Sequence, residues 1–389
     1  MRVLMLNYEF PPLGGGAGPV SRELAETLVS KGHEVDVVTM GHKNLPKRDH
    51  RNGVDIYRVP CLRRSQSMSR PHEMASYLPT GFHRSRQLHA RQNYDVVHSH
   101  FILPTGVIAL ALNSLYNLPY VITAHGSDVP GYNPDRFGIL HRLSAPIWSR
   151  VVSGADTIVS PSNHLAELIR SRDVDSPVEV VPNGFDYESY DPSLQTQELI
   201  LVTSRLFERK GIQYFLEALA GIDTNWEVGI TGDGPYKSAL EAQADRLGLD
   251  VTFYGWIERD HLEELLETAE IFVFPSSHEN CPVSLQEGMA TGNAVVASKF
   301  SGTGEVIGEA GVTVDPTDTK EFSLAINRLL DDPEFRDQLQ SQARDRIENQ
   351  FGWDRIGRRY IDVLEDATEV EHVSSTIDSE NSTHQISKS

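Results

Sequence analysis

The sequence predicts an α/β protein in which one architecture is used twice: two doubly wound parallel sheets, each covered by helices on both faces. Three observations carry this reading. Short apolar runs rich in valine and isoleucine alternate with longer segments of helical period along the chain. Those runs are continuous rather than alternating, which is the pattern of parallel strands buried on both faces. At 389 residues, 39% of them hydrophobic, the chain exceeds one core of ordinary size.

In chain order, "RVLMLN", "EVDVVTM", "VDIYRVP", "DVVHSH", "YVITAHG", "ADTIVSP" and "VEVVPNG" read as strands of a first domain. "LILVTSR", "WEVGITG", "VTFYGW", "IFVFPSS", "AVVASK" and "GVTVDP" read as strands of a second. Amphipathic stretches such as "VSRELAETLVSKG" and "HLEELLETAE" supply the intervening helices. The polar, aperiodic stretch "DYESYDPSLQTQE" at 186–198 separates the two sets. The expected division is therefore 1–187 and 188–350. A closing helix over 351–366 follows, and then a Ser/Thr-rich acidic tail, 367–389, expected to be disordered.

Composition excludes several functions. With 55 acidic against 35 basic residues the formal net charge is -20, which disfavours non-specific binding of nucleic acid. Two cysteines, Cys61 and Cys281, are too few for a disulfide framework or a four-ligand zinc site. No apolar run approaches the roughly 20 residues of a membrane-spanning helix, and "MRVLMLNYEF" has no charged leader or cleavage site. A soluble, cytoplasmic protein is the expectation. Acid-rich, lysine-poor composition suits solubility at high salt, a halophilic habit. Residues 41–93 run the other way, with eleven Lys or Arg against Asp49, Asp55 and Glu73.

Ligands of parallel α/β sheets collect beyond the carboxyl ends of the strands, where helix N-termini present unpaired N–H groups. Five loops fall there. In "PPLGGGAGPV" (11–20), Gly15 and Gly16 would let backbone approach a phosphate or sugar closely, although a turn that binds nothing is as good a reading of glycine content alone. "TSRLFERKGI" brings Arg205 and Lys210 to a helix start, a guanidinium fork and an ammonium suited to a diphosphate. "TGDGP" adds an open turn through Gly232 and Gly234, and "TAHGSD" adds His125 and Asp128. Finally, "SSHENCPVSLQEGMATG" (276–292) places Glu279 just before a helix starting near Val283 and Glu287 about one turn inside it. A carboxylate accepts two directed hydrogen bonds, the geometry for neighbouring sugar hydroxyls. Either glutamate alone would be read as a surface acid. Five such loops together weaken that reading.

At these residues the sequence resembles the retaining glycosyltransferases of family 4. "PPLGGG", "AHGSD", "VPNGFD", "SRLFERKG", "GDGP" and "HENCPVSLQEGMATG" stand in that family's order over roughly residues 1–366. The specific part is Glu-x7-Glu with Ser-Arg…Lys-Gly. The resemblance implies the GT-B fold, two facing Rossmann-like domains with a deep cleft between them. It also implies transfer of a hexose-type sugar from a nucleotide-sugar donor, UDP- or GDP-linked, to an acceptor hydroxyl with retained configuration. Carried over, Arg205 and Lys210 bind the donor diphosphate, Glu279 the transferred sugar, Glu287 the ribose, and His125 contacts the sugar. Gly15 and Gly16 approach phosphate and acceptor, and Gly232 and Gly234 line the donor side. Asn280, Cys281 and Val283 offer N–H groups to phosphate, and Asp128, Arg63 and Arg64 lie on the acceptor side. No cofactor and no metal is expected, since cations and helix dipoles take that place.

Two departures bear on sugar identity: Asn280, Cys281 and Pro282 replace a Gly-Phe-Gly-like run, and "EGMATGN" replaces Glu-Ala-Met-Ala. A nucleotide-sugar epimerase of related fold is the alternative. A dinucleotide-dependent dehydrogenase would want GxGxxG, which "GGGAGP" does not provide. The expected partners are the donor and a glycan or lipid-linked acceptor. The arginines of "CLRRSQSMSR" and "HRSRQLHAR" either pair with the acidic remainder or lie along a surface toward an anionic membrane.

Overall fold

The computed structural model describes the backbone of residues 1–66, 68–190 and 196–386, and the side chains of these apart from 134–137 and 370–386. The chain divides into two compact units, Met1–Gly184 with the C-terminal segment from Trp353, and Phe185–Gly352. The expected closing helix accordingly belongs to the first unit.

The first unit holds β1 (Arg2–Leu6), α1 (Ala17–Ser30), β2 (Glu34–Met40), β3 (Arg48–Arg51), β4 (Val54–Val59), α2 (Pro71–Gln92), β5 (Val96–His100) and α3 (Thr105–Tyr116). It continues through β6 (Tyr120–Thr123), α4 (Pro134–Ser153), β7 (Thr157–Ser160), α5 (Asn163–Arg170) and β8 (Val178–Val180). The sheet order is β3-β4-β2-β1-β5-β6-β7-β8. Every pairing is parallel except β3 with β4. Strand β3, "RDHR", escapes a search for apolar runs because it is a polar, largely exposed edge, as edge strands need to be.

The second unit holds β9 (Gln197–Thr203), α6 (Ile212–Leu219), β10 (Glu227–Thr231), α7 (Lys237–Leu247), β11 (Thr252–Gly255), α8 (Arg259–Thr268) and β12 (Ala269–Phe274). Then come α9 (Val283–Ala290), β13 (Ala294–Ser298), α10 (Ser301–Ile307), β14 (Val312–Val314), α11 (Thr319–Asp331) and α12 (Pro333–Phe351). The order is β11-β10-β9-β12-β13-β14, all parallel.

Strand periodicity explains why these runs are apolar throughout. In β1, Leu4 and Leu6 join the core under α2 and α3 with Tyr77 and Ile108, while Val3 and Met5 join the opposite core with Leu24 and Leu28 of α1. In β9, Ile200 and Val202 meet Phe215 on one side, and Leu199 and Leu201 meet Leu285 and Ile347 on the other. Helix α13 (Trp353–Ile386) returns to the first unit, adding Ile356, Tyr360 and Leu364 to the core beside α1. Its backbone is helical to Ile386, and no glycine or proline after Gly357 interrupts it. Residues 387–389 lie outside the described residues. Among the described residues no helix is long and apolar enough to cross a membrane.

In each unit the chain runs outward from the first strand in one direction and then restarts on its other side. The switch falls between β1 and β5 in one sheet and between β9 and β12 in the other. Loops leaving neighbouring strands diverge there, so the crevice opens beyond the carboxyl ends of these strands.

Candidate active site

In the second unit, β9 ends at Thr203 and the chain makes a 3-10 turn, Glu208–Lys210, before α6. Gly211 ends that turn at φ 74°, and a methyl group there would lie 2.6 Å from the Pro275 carbonyl oxygen of the loop after β12. This close approach sets Lys210 against the Glu279 loop: its Nζ pairs with Glu279 Oε1, which also accepts from Ser276 Oγ at 2.7 Å. Burial is the leading influence on Lys210 and lowers its pKa, with Arg209 and Arg205 adding to the effect and Glu279 opposing it. A largely shielded ammonium beside two guanidiniums is a place where an added anion is favourable.

Residue Glu279 is fixed by its backbone as well. Its N–H donates to Ser301 Oγ at 3.1 Å, and its carbonyl accepts from Gly302 N at 2.9 Å. Asn280, Cys281 and Pro282 lead from it into α9, whose first residue is Val283. One turn on, Glu287 is buried and accepts from Arg259 Nη1 at 2.6 Å and from the Tyr190 hydroxyl at 3.2 Å. Both glutamates of the pair therefore hold a cation. Arg259 and Tyr190 escaped sequence reasoning because they lie 28 and 97 residues from Glu287, and no local signal joins them.

Gly232 and Gly234 do something other than line an open turn. A methyl on either would lie 1.9 Å from the Ser204 carbonyl oxygen or 2.2 Å from that of Leu206. Their absent side chains let the β10–α7 turn press against the strand-end loop carrying Arg205. The Leu206 N–H donates to Asp233 O and the Tyr236 N–H to Leu206 O, which laces the two loops together. Arg205 itself is exposed, its guanidinium 5.7 Å from the centre of the Phe207 ring.

In the first unit the glycine loop follows β1. Gly14 has φ 96° and lies so close to Glu9 that a methyl would sit 2.5 Å from its Cβ, so it is needed for the fold. Around Gly15 and Gly16 a methyl would meet nothing within 4 Å, so the protein's own packing leaves those two positions open. Glu9, missed in the sequence, accepts from the Gly15 N–H at 3.4 Å, and burial raises its pKa.

Arg63, expected along a surface with Arg64, instead points inward. Its side chain is fully buried and donates to the carbonyls of Ser65 at 2.8 Å, Tyr8 at 3.2 Å and Gln66 at 2.8 Å. It braces the loop under Gly14, whose N–H also donates to Gln66 O. A guanidinium can be buried where carbonyls satisfy its forked donors. Arg64 remains exposed. Arg58 is buried too, donating to Asp49 at 3.2 Å, so part of the basic segment pairs with its own acids.

At the ends of β5 and β6 three histidines meet. His98 Nε2 contacts Thr123 Oγ1 at 2.8 Å, and His100 Nδ1 contacts His125 Nε2 at 3.1 Å. Burial lowers His98 and His125 to about 3 and His100 well below its ordinary value, so all three are neutral near pH 7. Asp128, expected on the acceptor side, is spent on the fold: its carboxylate accepts from Ile102 N at 2.7 Å and His125 N at 3.0 Å. Burial, only partly offset by those bonds, raises it to about 6. It positions His125 and leaves little capacity for a ligand.

Two doubly wound units, each gathering charged side chains and glycine turns at the switch point of a parallel sheet, have the architecture of GT-B sugar transferases. The Glycosyltransferase Family 4 model matches residues 14–189, and the Glycosyl transferases group 1 model matches residues 190–346. A glycosyltransferase of uncharacterized activity from Methanocaldococcus jannaschii is 28% identical, with 95% of this chain and 99% of that protein covered. The D-rhamnosyltransferase WbpZ of Pseudomonas aeruginosa is 30% identical, with 69% of this chain and 72% of that protein covered. Among solved structures, HepE of Anabaena, in complex with UDP, superposes with a TM-score of 0.74 at 19% identity, covering 94% of this chain and 100% of that one. The chain belongs to glycosyltransferase family 4, and the enzyme is a glycosyltransferase.

Proposed function

We propose that the protein transfers a hexose-type sugar, with retained configuration, from a UDP- or GDP-sugar to an acceptor hydroxyl of a lipid-linked or other glycoconjugate at the cytoplasmic membrane face. The observation that carries the donor half of this reading is the largely shielded Lys210, paired with Glu279 and close to Arg205 and Arg209. A diphosphate arriving there would be met by Lys210 and Arg205, releasing Glu279 to accept hydroxyls of the sugar. Glu287, oriented by Arg259 and Tyr190, would hold the ribose. Asn280, Cys281 and Val283 would offer N–H groups to phosphate at the start of α9. Gly15 and Gly16 would admit phosphate and acceptor. His125, neutral, would bond a sugar hydroxyl without adding charge.

The bond from the sugar's anomeric carbon to the diphosphate oxygen breaks as the acceptor oxygen bonds to the same face. The acceptor's proton passes to the leaving phosphate, so no covalent nucleophile is needed. The cations stabilise charge that grows on the diphosphate. UDP bound to the Anabaena relative of the fold supports a uridine donor. The acid-rich composition supports work at high salt.

Thermal shift against UDP-sugars, GDP-sugars and NAD tests the reading, because a ligand of the folded state raises its stability by mass action. Stabilisation by one class of nucleotide sugar is expected. Stabilisation by NAD alone would refute it, and conversion of a bound donor to its epimer without acceptor would favour the epimerase.

A further inference from the structure

We propose that the face built by α2 and α4 of the first unit docks on an anionic lipid bilayer, and that the groove between these helices leads a membrane-borne apolar chain toward His125. This rests on the membrane-acceptor reading above and names the surface that serves it.

Helix α4 carries an apolar ridge turned outward: Ile139 is 80% exposed, Leu143 77% and Ile147 49%. Four-residue spacing places them along one side of the helix, where an amphipathic helix of a water-surrounded protein carries polar groups. The core side of the same helix is already supplied by Trp148, Val151 and Val152. The ridge is therefore surplus to folding.

The two flanks of that ridge differ in chemistry. On one side lies a groove of about 240 Å³ walled by Met74 and Leu78 of α2, Leu103 and Val107, and Leu140 and Ile147 of α4. Tyr8, Phe101 and Asp128 also line it. Phe101 packs 4.5 Å from the His125 ring, and Asp128 bonds the His125 N–H, so the groove is continuous with the histidine cluster. On the other side lies a hollow of about 460 Å³ that includes His141, Arg142 and Arg172 and, among the described residues, no acidic one.

Charge completes the match to an anionic surface. On a chain of net charge -20, residues 138–153 of α4 carry Arg142 and Arg150, both exposed, and no acid, Arg172 lines the hollow beside them, and the acid of α2 is Glu73. That carboxylate is engaged by the N–H groups of Arg64 and Arg70. An exposed apolar ridge flanked by arginines is the composition of a helix that lies in the headgroup region. The ridge also meets a requirement that charge alone does not. At high salt the Debye length shrinks to about 3 Å and electrostatic attraction is screened, whereas apolar burial persists.

The test is flotation of the full chain with vesicles of phosphatidylcholine, with and without phosphatidylglycerol, at low and molar salt. Three proteins are compared: wild type, Ile139→Asn/Leu143→Asn, and Arg246→Glu/Lys320→Glu, two exposed positions of the second unit. Wild type should bind the anionic vesicles and stay bound in molar salt. The α4 variant should bind about tenfold or more weakly, since each large apolar side chain withheld from lipid is worth at least that factor. The second-unit variant should bind like wild type. Because both α4 positions are exposed, melting temperature and nucleotide-sugar thermal shift should match wild type, confirming that a loss of flotation is not a loss of fold. Negligible binding of wild type to both vesicle types overturns the proposal, as does equal binding by the α4 variant. So does a wild-type dimer in sedimentation velocity that the α4 substitutions dissociate, since a second copy would then cover the ridge. Donor binding that survives any of these outcomes leaves the transferase reading standing. Vesicle binding without nucleotide-sugar binding would sink that reading and spare the surface.

Discussion

A carboxylate and an ammonium that neutralise one another before substrate arrives have separable roles once it does. Lys210 meets charge that builds on the leaving diphosphate, so Lys210→Ala is expected to lower kcat by roughly 100- to 1,000-fold, the scale of losing one donor to a developing anion. Steady-state kinetics with saturating donor checks this, and an effect confined to KM contradicts it. Glu287 would meet the ribose equally in ground and transition states, so Glu287→Ala should raise the donor KM with less change in kcat. The same variant removes the acceptor of the Tyr190 hydroxyl and one of two carboxylates bonded to Arg259, which keeps Glu263. Donor titration separates this binding effect from lost stability. Where two cations and helix-terminal N–H groups handle the diphosphate, turnover should continue in chelator. Activity abolished by chelator and restored only by magnesium or manganese would contradict the assignment of Arg205 and Lys210.

Elements reach their working positions through contacts too close for any residue but glycine. A methyl at Gly302 in α10 would lie 1.4 Å from the Asn280 carbonyl oxygen, inside the loop that also carries Glu279. Gly302→Ala must displace that loop, because backbone cannot yield as a flexible side chain can. The expected cost is about 1–3 kcal/mol of stability, together with a fall in kcat/KM, read by denaturant unfolding and kinetics on one preparation. Unchanged kinetics in a folded Gly302→Ala protein would show that the Glu279 loop tolerates displacement. Gly15→Ala offers the contrasting case, since no protein atom opposes a methyl there and only a ligand would register it. The buried Arg63 illustrates the same dependence on packing: by charge it belongs with the exposed arginines, and by contact it is a brace for the glycine loop.

For the whole molecule, pH dependence of stability follows from the histidine cluster. In the unfolded chain His98, His100 and His125 take up protons as pH falls through about 6.5, while in the fold burial holds His98 and His125 neutral to about 3 and lowers His100 well below its ordinary value. Their contribution is complete above about 6.5 and is lost as pH falls toward 3. Asp128 acts in the opposite sense, since its pKa is raised from 3.8 to about 6, so its contribution is present below 3.8 and lost as pH rises to 6. Three histidines outweigh one aspartate. Stability should therefore fall on acidification from pH 7 to 5, at roughly 1.4 kcal/mol per pH unit for each unmatched proton. Urea unfolding at pH 7, 6 and 5 measures this, and a flat or inverted profile would mean that the cluster is hydrated and charged.

Two parallel α/β units, thirteen of the fourteen strands among the described residues, and the strand-end loops that carry Arg205, Lys210, Glu279, Glu287 and His125 were legible in the sequence. They were legible because strand burial on both faces leaves a continuous apolar signature, and because a topological switch puts function in the loops at strand ends. Polar β3 left no such signature. Tertiary structure alone decided which partner each charge takes: Lys210 for Glu279, Arg259 and Tyr190 for Glu287, three carbonyls for Arg63, two N–H groups for Asp128. It also decided that Gly232 and Gly234 serve loop packing while Gly15 and Gly16 stay open. The physical reason is range: hydrophobic period is written in neighbouring residues, whereas an ion pair or a backbone contact joins positions tens of residues apart, and only the folded chain brings them within a few ångströms.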